Sequence, residues 1–398
     1  MDGILANQKE HVVLKKSPLL PIFLIVLVDV LGLTIILPLL PFYAESLGAS
    51  ASTVGMLIST YALCQLVAGP PLGQISDRVG RRPVLLVSQM GTFVGFLILA
   101  YANVLWLVFL SRIIDGLTAG NLTVAQAYIS DVTKPENRAK AFGMIGIAFG
   151  LGFMVGPAIS GYLAQYGNSY PIFAAAGLSF TSIMATYFLL PAVAPHPNPD
   201  AGKQKRWAAY LDAFKDVHLG PLLWQFFAFS FAFGTFFSGF ALFAERRLIY
   251  NAAPFGAKEV GYAFAYLGLI GILIQGMMGR LVKSFGESRL VWLGFLSMGA
   301  GFALMSGVHY VPYLLLAITL LTFGSTILRP NLTSLITQRV ARHRQGMAIG
   351  LTQSLMSIAQ IIAPVIAGIL IQHQFLSTWA WAGSLICGIG LSLMAIAK

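Results

Sequence analysis

Four ionisable side chains interrupt long apolar stretches: Asp29, Arg112, Asp115 and Arg329. Carboxyl groups in such a setting can take up and release protons. Removal from water favours their neutral form, and a nearby guanidinium favours the charged one. Arg112 and Asp115 are three residues apart, so on a helix they share a face and can pair. On an unbroken helix Ala119, Leu122, Thr123 and Gln126 continue that face, and Asn121 falls on the other side. The plainer reading of the pair is an ion pair that locks helices together. At about 1.5 Å per residue, Asp29 lies roughly 15 Å into its stretch and Asp115 roughly 16 Å into its own. Both depths match the middle of a hydrocarbon core about 30 Å thick. Arg329 lies roughly 27 Å into its stretch, beside Pro330 and near one end. It is expected to snorkel to the interface, the other reading being contact with an anionic substrate.

Other chemistries find little support. There is no Walker loop, no Gly-x-Ser-x-Gly elbow, no His-Glu-x-x-His and no cysteine cluster. ATP-driven work, hydrolysis and metal catalysis are therefore not expected, nor is a metal or cofactor. Cys64 and Cys387 lie inside apolar stretches and read as packing residues.

The elements that must position these groups follow from composition. The chain has 398 residues, 57% hydrophobic and 10% charged, with mean hydropathy +0.79. Soluble domains average about 25% charged residues, so a large soluble enzyme is nearly excluded. Apolar runs near 19–41, 54–75, 83–102, 104–129, 142–165, 170–190, 221–244, 260–281, 289–308, 311–336, 346–371 and 376–397 predict twelve membrane-spanning helices. They are apolar nearly all round, and the short alternating segments of a β-barrel are absent. The first run is too long for a signal peptide and contains Asp29, Pro38 and Pro41, so it is expected to be a retained helix.

The net charge of +11 is an orientation signal. The basic residues sit in small clusters between apolar runs, which argues against a nucleic-acid partner. Lys9, Lys15, Lys16, Arg78, Arg81, Arg82, Lys134, Arg138, Lys140, Lys203, Lys205, Arg206, Lys215, Arg280, Lys283, Arg289, Arg339, Arg342, Arg344 and Lys398 fall on one side. Only Arg246, Arg247 and Lys258 fall on the other. The positive-inside rule then places both termini in the cytoplasm of a multi-pass plasma (cell inner) membrane protein.

The chain divides into an N-terminal six-helix bundle (1–190), a cytoplasmic linker (191–220) and a C-terminal six-helix bundle (221–398). The linker carries Trp207, Leu211, Phe214 and Val217 or His218 at helical spacing, as in an amphipathic helix on the membrane surface. The halves echo one another. Gly73-x-x-x-Asp77-x-x-Gly80 is matched by Gly279-x-x-x-Lys283-x-x-Gly286. Asn121-Leu-Thr123 is matched by Asn331-Leu-Thr333, and Ala141-Phe-Gly143 by Ala348-Ile-Gly350. The class is an all-α membrane protein of two bundles related by a pseudo-two-fold repeat.

The strongest local signal is Gly73-Gln-Ile-Ser-Asp77-Arg78-Val-Gly80-Arg81-Arg82, in a very short turn between two spans. Its glycines permit a tight turn and close helix approach. Asp77 can pair with a basic neighbour, and Arg81 and Arg82 are expected to face the anionic leaflet. Arg112-Ile-Ile-Asp115-Gly116 lies in the fourth span, and Gly152-Phe-Met-Val-Gly156-Pro157-Ala-Ile-Ser-Gly161 in the fifth. The fifth-span stretch offers small residues for helix contact and a proline that removes a backbone donor.

Together with Asp29, Pro38 and Pro41, these motifs resemble the major facilitator superfamily. They are most similar to its twelve-helix drug/proton antiporters, which include the tetracycline exporters. That resemblance implies gating by Gly73, Asp77, Arg78, Gly80, Arg81, Arg82, Gly152, Gly156 and Pro157. It also implies proton coupling through Asp29, Asp115 and Arg112, and a stretch around Gly156 that limits leak. The tetracycline exporters carry acidic residues in their third and ninth helices, where this sequence has none.

The expected function is proton-coupled export of a small amphipathic compound by alternating access, by a functional monomer whose partners are substrate, protons and the bilayer. The alternatives are a metabolite symporter or uniporter of the same fold, and a non-transporting membrane receptor or assembly factor. Phe226, Phe229, Phe233, Phe237 and Phe240 recur at helical spacing and either line an apolar pocket or face lipid. Phe233 and Phe237 count as pocket candidates. Tyr61, Gln65, Gln126, Gln275, Gln353 and Gln360 are mid-span polar groups that either line a pocket or bond a neighbouring helix.

Overall fold

The computed structural model describes residues 19–133, 138–191, 213–217, 219–340 and 345–396. The helices are α1 Leu19–Ser46, α2 Ala51–Val79, α3 Arg81–Ala100, α4 Leu105–Thr118, α5 Asn121–Val132, α6 Arg138–Leu163, α7 Ser169–Leu189, α8 Gly220–Arg247, α9 Ala257–Phe285, α10 Glu287–Ser306, α11 Val311–Gln338, α12 Gln345–Gln372 and α13 Leu376–Ile396. Twelve segments are long and apolar enough to cross a membrane, with α4 and α5 forming one of them. A two-stranded ribbon, Ile249–Tyr250 with Ala253–Pro254, joins α8 to α9. Of the expected linker helix, Trp207, Leu211 and His218 lie outside the described residues. Phe214 packs on Trp224, with ring centroids 5.4 Å apart.

The fourth span corrects the expectation of an unbroken helix. It breaks at Ala119 and Gly120, where the Gly120 N–H bonds the Thr118 carbonyl at 2.7 Å. Close packing explains the break. A Cβ on Gly116 would stand 2.7 Å from the Tyr61 carbonyl, and one on Gly120 2.8 Å from Ser88 Oγ. Glycine is also a poor helix former. The face running from Arg112 through Asp115 therefore does not continue in phase to Thr123 and Gln126. The prolines Pro38, Pro41 and Pro157 lie within continuous helices.

Helices α1 to α7 pack mainly on one another, as do α8 to α13. The two sets meet along α2 with α12 and α6 with α9. Among the described residues they meet at one end only. There, Gly55 faces the backbone of Pro364 and Val365, Gly368 faces Ala51 and Ser52, and Gly161 faces Lys258 and Gly261. Ser59 Oγ donates to the Ile361 carbonyl at 2.6 Å. Arg246 pairs with Glu45 at 2.8 Å and donates to the Ile371 carbonyl at 3.1 Å.

At the opposite end, the one holding Asp77, the same helix faces have no neighbour among the described residues. A Cβ on Gly69, Gly73, Gly143, Gly146, Gly276 or Gly279 would meet nothing within 4 Å. The apolar core divides in the same way. One cluster joins Ile35, Leu39, Val54 and Leu57 to the second helix set. A separate cluster of Ile22, Ile25, Val84, Leu85, Val124 and Tyr128 belongs to the first set alone. The molecule is closed at the Glu45 end and cleft at the Asp77 end.

Candidate functional site

The mid-span charges gather inside the first helix set. Arg112 and Asp115, each 4% exposed, pair at 3.3 Å between Nη1 and Oδ2. Arg112 Nε also donates to Ser111 Oγ at 3.3 Å, and its guanidinium lies 6.0 Å from the centre of the Phe96 ring. Thr92 bonds the Asp115 carboxylate. Gly95 lets α4 close on α3, since its Cβ would stand 3.1 Å from Asp115 Cβ. Arg112 Nη2 is buried without a partner among the described residues.

Asp29 on α1 is half-buried and bonded by Ser182 of α7 and Gln89 of α3. Gln89 Nε2 in turn donates to Ser182 Oγ at 2.7 Å, and both side chains are fully buried. Asp115 is near enough to act on Asp29 electrostatically. Gln89, Ser182, Thr92 and Ser111 were missed in the sequence. Gln89 is a mid-span polar group like the other glutamines and carries the same signal. The serines and threonine gave no such signal, because hydroxyls are common in apolar helices.

Tyr61 sits beside the pair and is acted on by both charges. Gln65 Nε2 donates to Tyr61 Oη at 3.4 Å. These two pocket candidates belong to the ionic cluster. Gln126, Gln275 and Gln353 are exposed and Gln360 is half-buried, and none makes a side-chain hydrogen bond among the described residues. Gln275 continues the α9 face that carries Gly261, Gly268 and Ile272, so it points into the cleft. Among the phenylalanines, Phe226, Phe229 and Phe240 are buried in the core. Phe237 meets Phe153 of α6 across the two helix sets, with centroids 5.5 Å apart, and packs tilted against Phe233 at 4.4 Å. Phe149 lies 6.4 Å from Phe153. The aromatic group forms the closed floor of the cleft. An apolar groove of ≈ 660 Å³ between α6 and α9, lined by Met154, Tyr162 and Tyr266 among others, carries no acidic or basic side chain.

The turn motif also departs from expectation. Arg81 pairs with Asp77, pairs with Asp131 of α5 at 2.9 Å and donates to Ser76 Oγ at 2.7 Å. Arg82 bonds the Tyr187 carbonyl of α7, and its guanidinium lies 5.6 Å from the centre of that ring. Arg81 and Arg82 are therefore tied to neighbouring helices rather than to the leaflet, because carboxylates and a carbonyl lie within reach. Arg78 is exposed. Gly80 takes φ +98°, which L side chains rarely adopt, and ends α2. Gly73 has open space around it, so it makes no close helix approach. In the echo of this turn the charges are exchanged. Lys283 stands where Asp77 does, and Glu287 bonds Ser334 at 2.7 Å and Gln338 at 3.0 Å.

The fifth-span stretch serves two contacts. Thr34 Oγ1 donates to the Gly152 carbonyl at 2.9 Å, and Gly156 also faces Thr34, so both glycines seat α6 on α1. The Pro157 carbonyl and Gly161 face Gly261 of α9, across the two sets. Among the described residues no group of His, Cys, Asp and Glu could hold a metal ion.

Two outcomes follow from the geometry. Replacing Arg112 with Leu leaves the Asp115 carboxylate buried without its counter-ion, and thermal unfolding in detergent should register a loss of about 3–5 kcal/mol. Replacing Arg81 with Gln removes charged bonds to α2 and α5 at once. It should cost about 1.5–3 kcal/mol in the same measurement, and the added effect of Asp131→Asn should be much smaller in that background than alone.

The family model described as Major Facilitator Superfamily matches residues 22–364 and 235–397. The chain is 30% identical to a tetracycline resistance protein, class B, of Escherichia coli, over 90% of each chain. It is 26% identical to multidrug resistance protein 2 of Bacillus subtilis (strain 168), over 94% of each. A crystal structure of the peptide transporter POT in complex with sulfate superposes with a TM-score of 0.80 at 16% identity, covering 96% of this chain and 94% of that one.

Proposed function

From the premise that this chain belongs to the Major Facilitator Superfamily, we propose that it is a proton-coupled exporter of small amphipathic compounds working by alternating access. It is a multi-pass membrane transporter of small molecules and not an enzyme. The observation that carries the finer reading is the Asp29–Arg112–Asp115 cluster. It places two carboxyl groups mid-span, one locked to an arginine and one half-buried with only neutral partners. Asp29 exchanges the proton with the cleft. Arg112 and Asp115 fix the field around it. Relatives named for tetracycline and multidrug resistance support export as the direction.

In this reading the bundles of residues 1–190 and 221–398 rock about the α2–α12 and α6–α9 contacts, joined by the 191–220 linker. The Asp77 end and both termini face the cytoplasm of the cell inner membrane, so the conformation described is open inward. Asp77, Arg81 and the small residues of the fifth span act at the gates, and the protein works as a monomer. Gln126, Gln275, Gln353 and Gln360, with Phe233 and Phe237, offer the substrate polar and aromatic contacts.

The test is a susceptibility panel with the gene overexpressed, followed by reconstitution of the purified protein in proteoliposomes. Each compound that the panel selects should drive protons in the direction opposite to its own movement. Protons moving with the compound would make the protein a symporter, and no proton movement with continued transport would make it a uniporter.

A further inference from the structure

Arg329 is the remaining charge within a span, and proton coupling leaves it unused. Its place near the end of the span predicts that it snorkels to the interface. That requires the side chain to leave α11 on the lipid side, and the helix turns it elsewhere. At 3.6 residues per turn, Arg329 lies within about 40° of Ile318, Thr322, Thr333 and Ile336, and more than about 130° from Tyr313 and Leu316. Ile318, Thr322 and Ile336 are buried, whereas Tyr313 and Leu316 are the exposed pair, at 55% and 50%. Thr322 and Thr326 look toward Gly271 of α9. Arg329 therefore stands on the inward face of α11. It is exposed because the two helix sets part at that level.

Its charge is uncompensated. Arg81, Arg82, Arg112, Arg246 and Arg247 all bond carboxylates, hydroxyls or carbonyls. Among the described residues Arg329 has neither an ion pair nor a guanidinium hydrogen bond, and no charged group acts on it. An unpaired cation inside a low-dielectric cleft strongly favours an anion. Hydroxyls flank it at Thr326 and Thr333. Arg329 is nine residues from the end of α11 at Gln338, about 13 Å. Phe153 and Phe237 are about 22–25 Å from the same end of their helices. A ligand with an anionic head at Arg329 and an aromatic body of about 10 Å reaches the phenylalanine floor.

We infer that Arg329 is an anion-recognition residue and that the cleft takes amphipathic aromatic compounds bearing a carboxylate. The inference deepens the transport reading and rests on its placing of the substrate path. The experiment follows thermal unfolding of the purified full-length protein in detergent with 1-naphthoate and 4-biphenylcarboxylate, each paired with its neutral amide. The carboxylates should stabilise the wild type at concentrations about 10-fold or more below those the amides need. Arg329→Gln should erase that preference and Arg329→Lys should keep most of it. Asp29→Asn should bind the carboxylates as the wild type does, which separates this site from proton coupling. Arg329-dependent binding in a protein that moves no protons would refute the coupling and leave the anion site standing. Equal stabilisation by acid and amide, a preference that survives in Arg329→Gln, or no stabilisation by either carboxylate would overturn the inference.

Discussion

Asp29→Asn should abolish gradient-driven transport while leaving the protein folded. The amide matches the carboxyl in shape, and its oxygen still accepts from Gln89 and Ser182, the two groups that bond Asp29. No counter-ion is left stranded, because among the described residues no cation acts on Asp29, and Arg112 is already committed to Asp115. Packing and stability should therefore change by less than about 1 kcal/mol. What disappears is the exchangeable proton. Transport driven by a pH gradient should fall by about 100-fold, the scale on which a positioned proton donor matters. Substrate exchange across the membrane without a gradient should persist, since it needs alternating access and no net proton movement. Parallel assays of driven uptake and of exchange in proteoliposomes make the comparison. A variant that retains gradient-driven accumulation would end the assignment of Asp29. Loss of both activities in a stable protein would make Asp29 a substrate or gating residue.

Two glycine substitutions should push the molecule in opposite directions. At the closed end, a Cβ on Gly261 would stand 2.6 Å from the Pro157 carbonyl and 2.8 Å from the Gly161 Cα. Both are backbone atoms and cannot swing aside. Leu at this position should disfavour the present conformation by about 1–3 kcal/mol or more, the usual scale of overpacking. That is about 5- to 150-fold in the equilibrium between conformations. At the cleft end, Gly146 lies on the same α6 face as Gly150, Pro157 and Gly161, and its Cβ would meet nothing within 4 Å. Leu there costs nothing now and obstructs any state in which the sets close over it. Spin-label distances across each end should show Gly261→Leu shifted toward opening at the Glu45 end and Gly146→Leu held closed there. Both variants should transport poorly. If Gly146→Leu transports normally, the cleft does not close at that level and rocking about these contacts is wrong.

Much of the fold was legible because lipid imposes a simple rule. A segment of about 20 residues must be apolar and helical to cross, so the spans appear in the sequence almost as they stand in the structure. The fourth span was the exception. Its break is set by the approach of Gly116 and Gly120 to α2 and α3, and no periodicity within 104–129 reports a neighbour. The site was partly legible for a related reason. Charge inside lipid is costly enough to be noticed, which isolated Asp29, Arg112 and Asp115. Gln89 and Ser182 carry no charge, and their role exists only because α3 and α7 bring them to Asp29.

The sequence by itself determined which segments cross the membrane and which few charges lie within them, because both follow from the cost of polarity in hydrocarbon. Tertiary structure alone decided what those charges face. It paired Arg112 with Asp115, surrounded Asp29 with neutral donors, tied Arg81 to Asp131, and left Arg329 on an inward face without a partner among the described residues. It also decided which end is closed. That rests on glycines meeting backbone across two helix sets far apart in the chain, and a pairing at such a distance leaves no periodic trace.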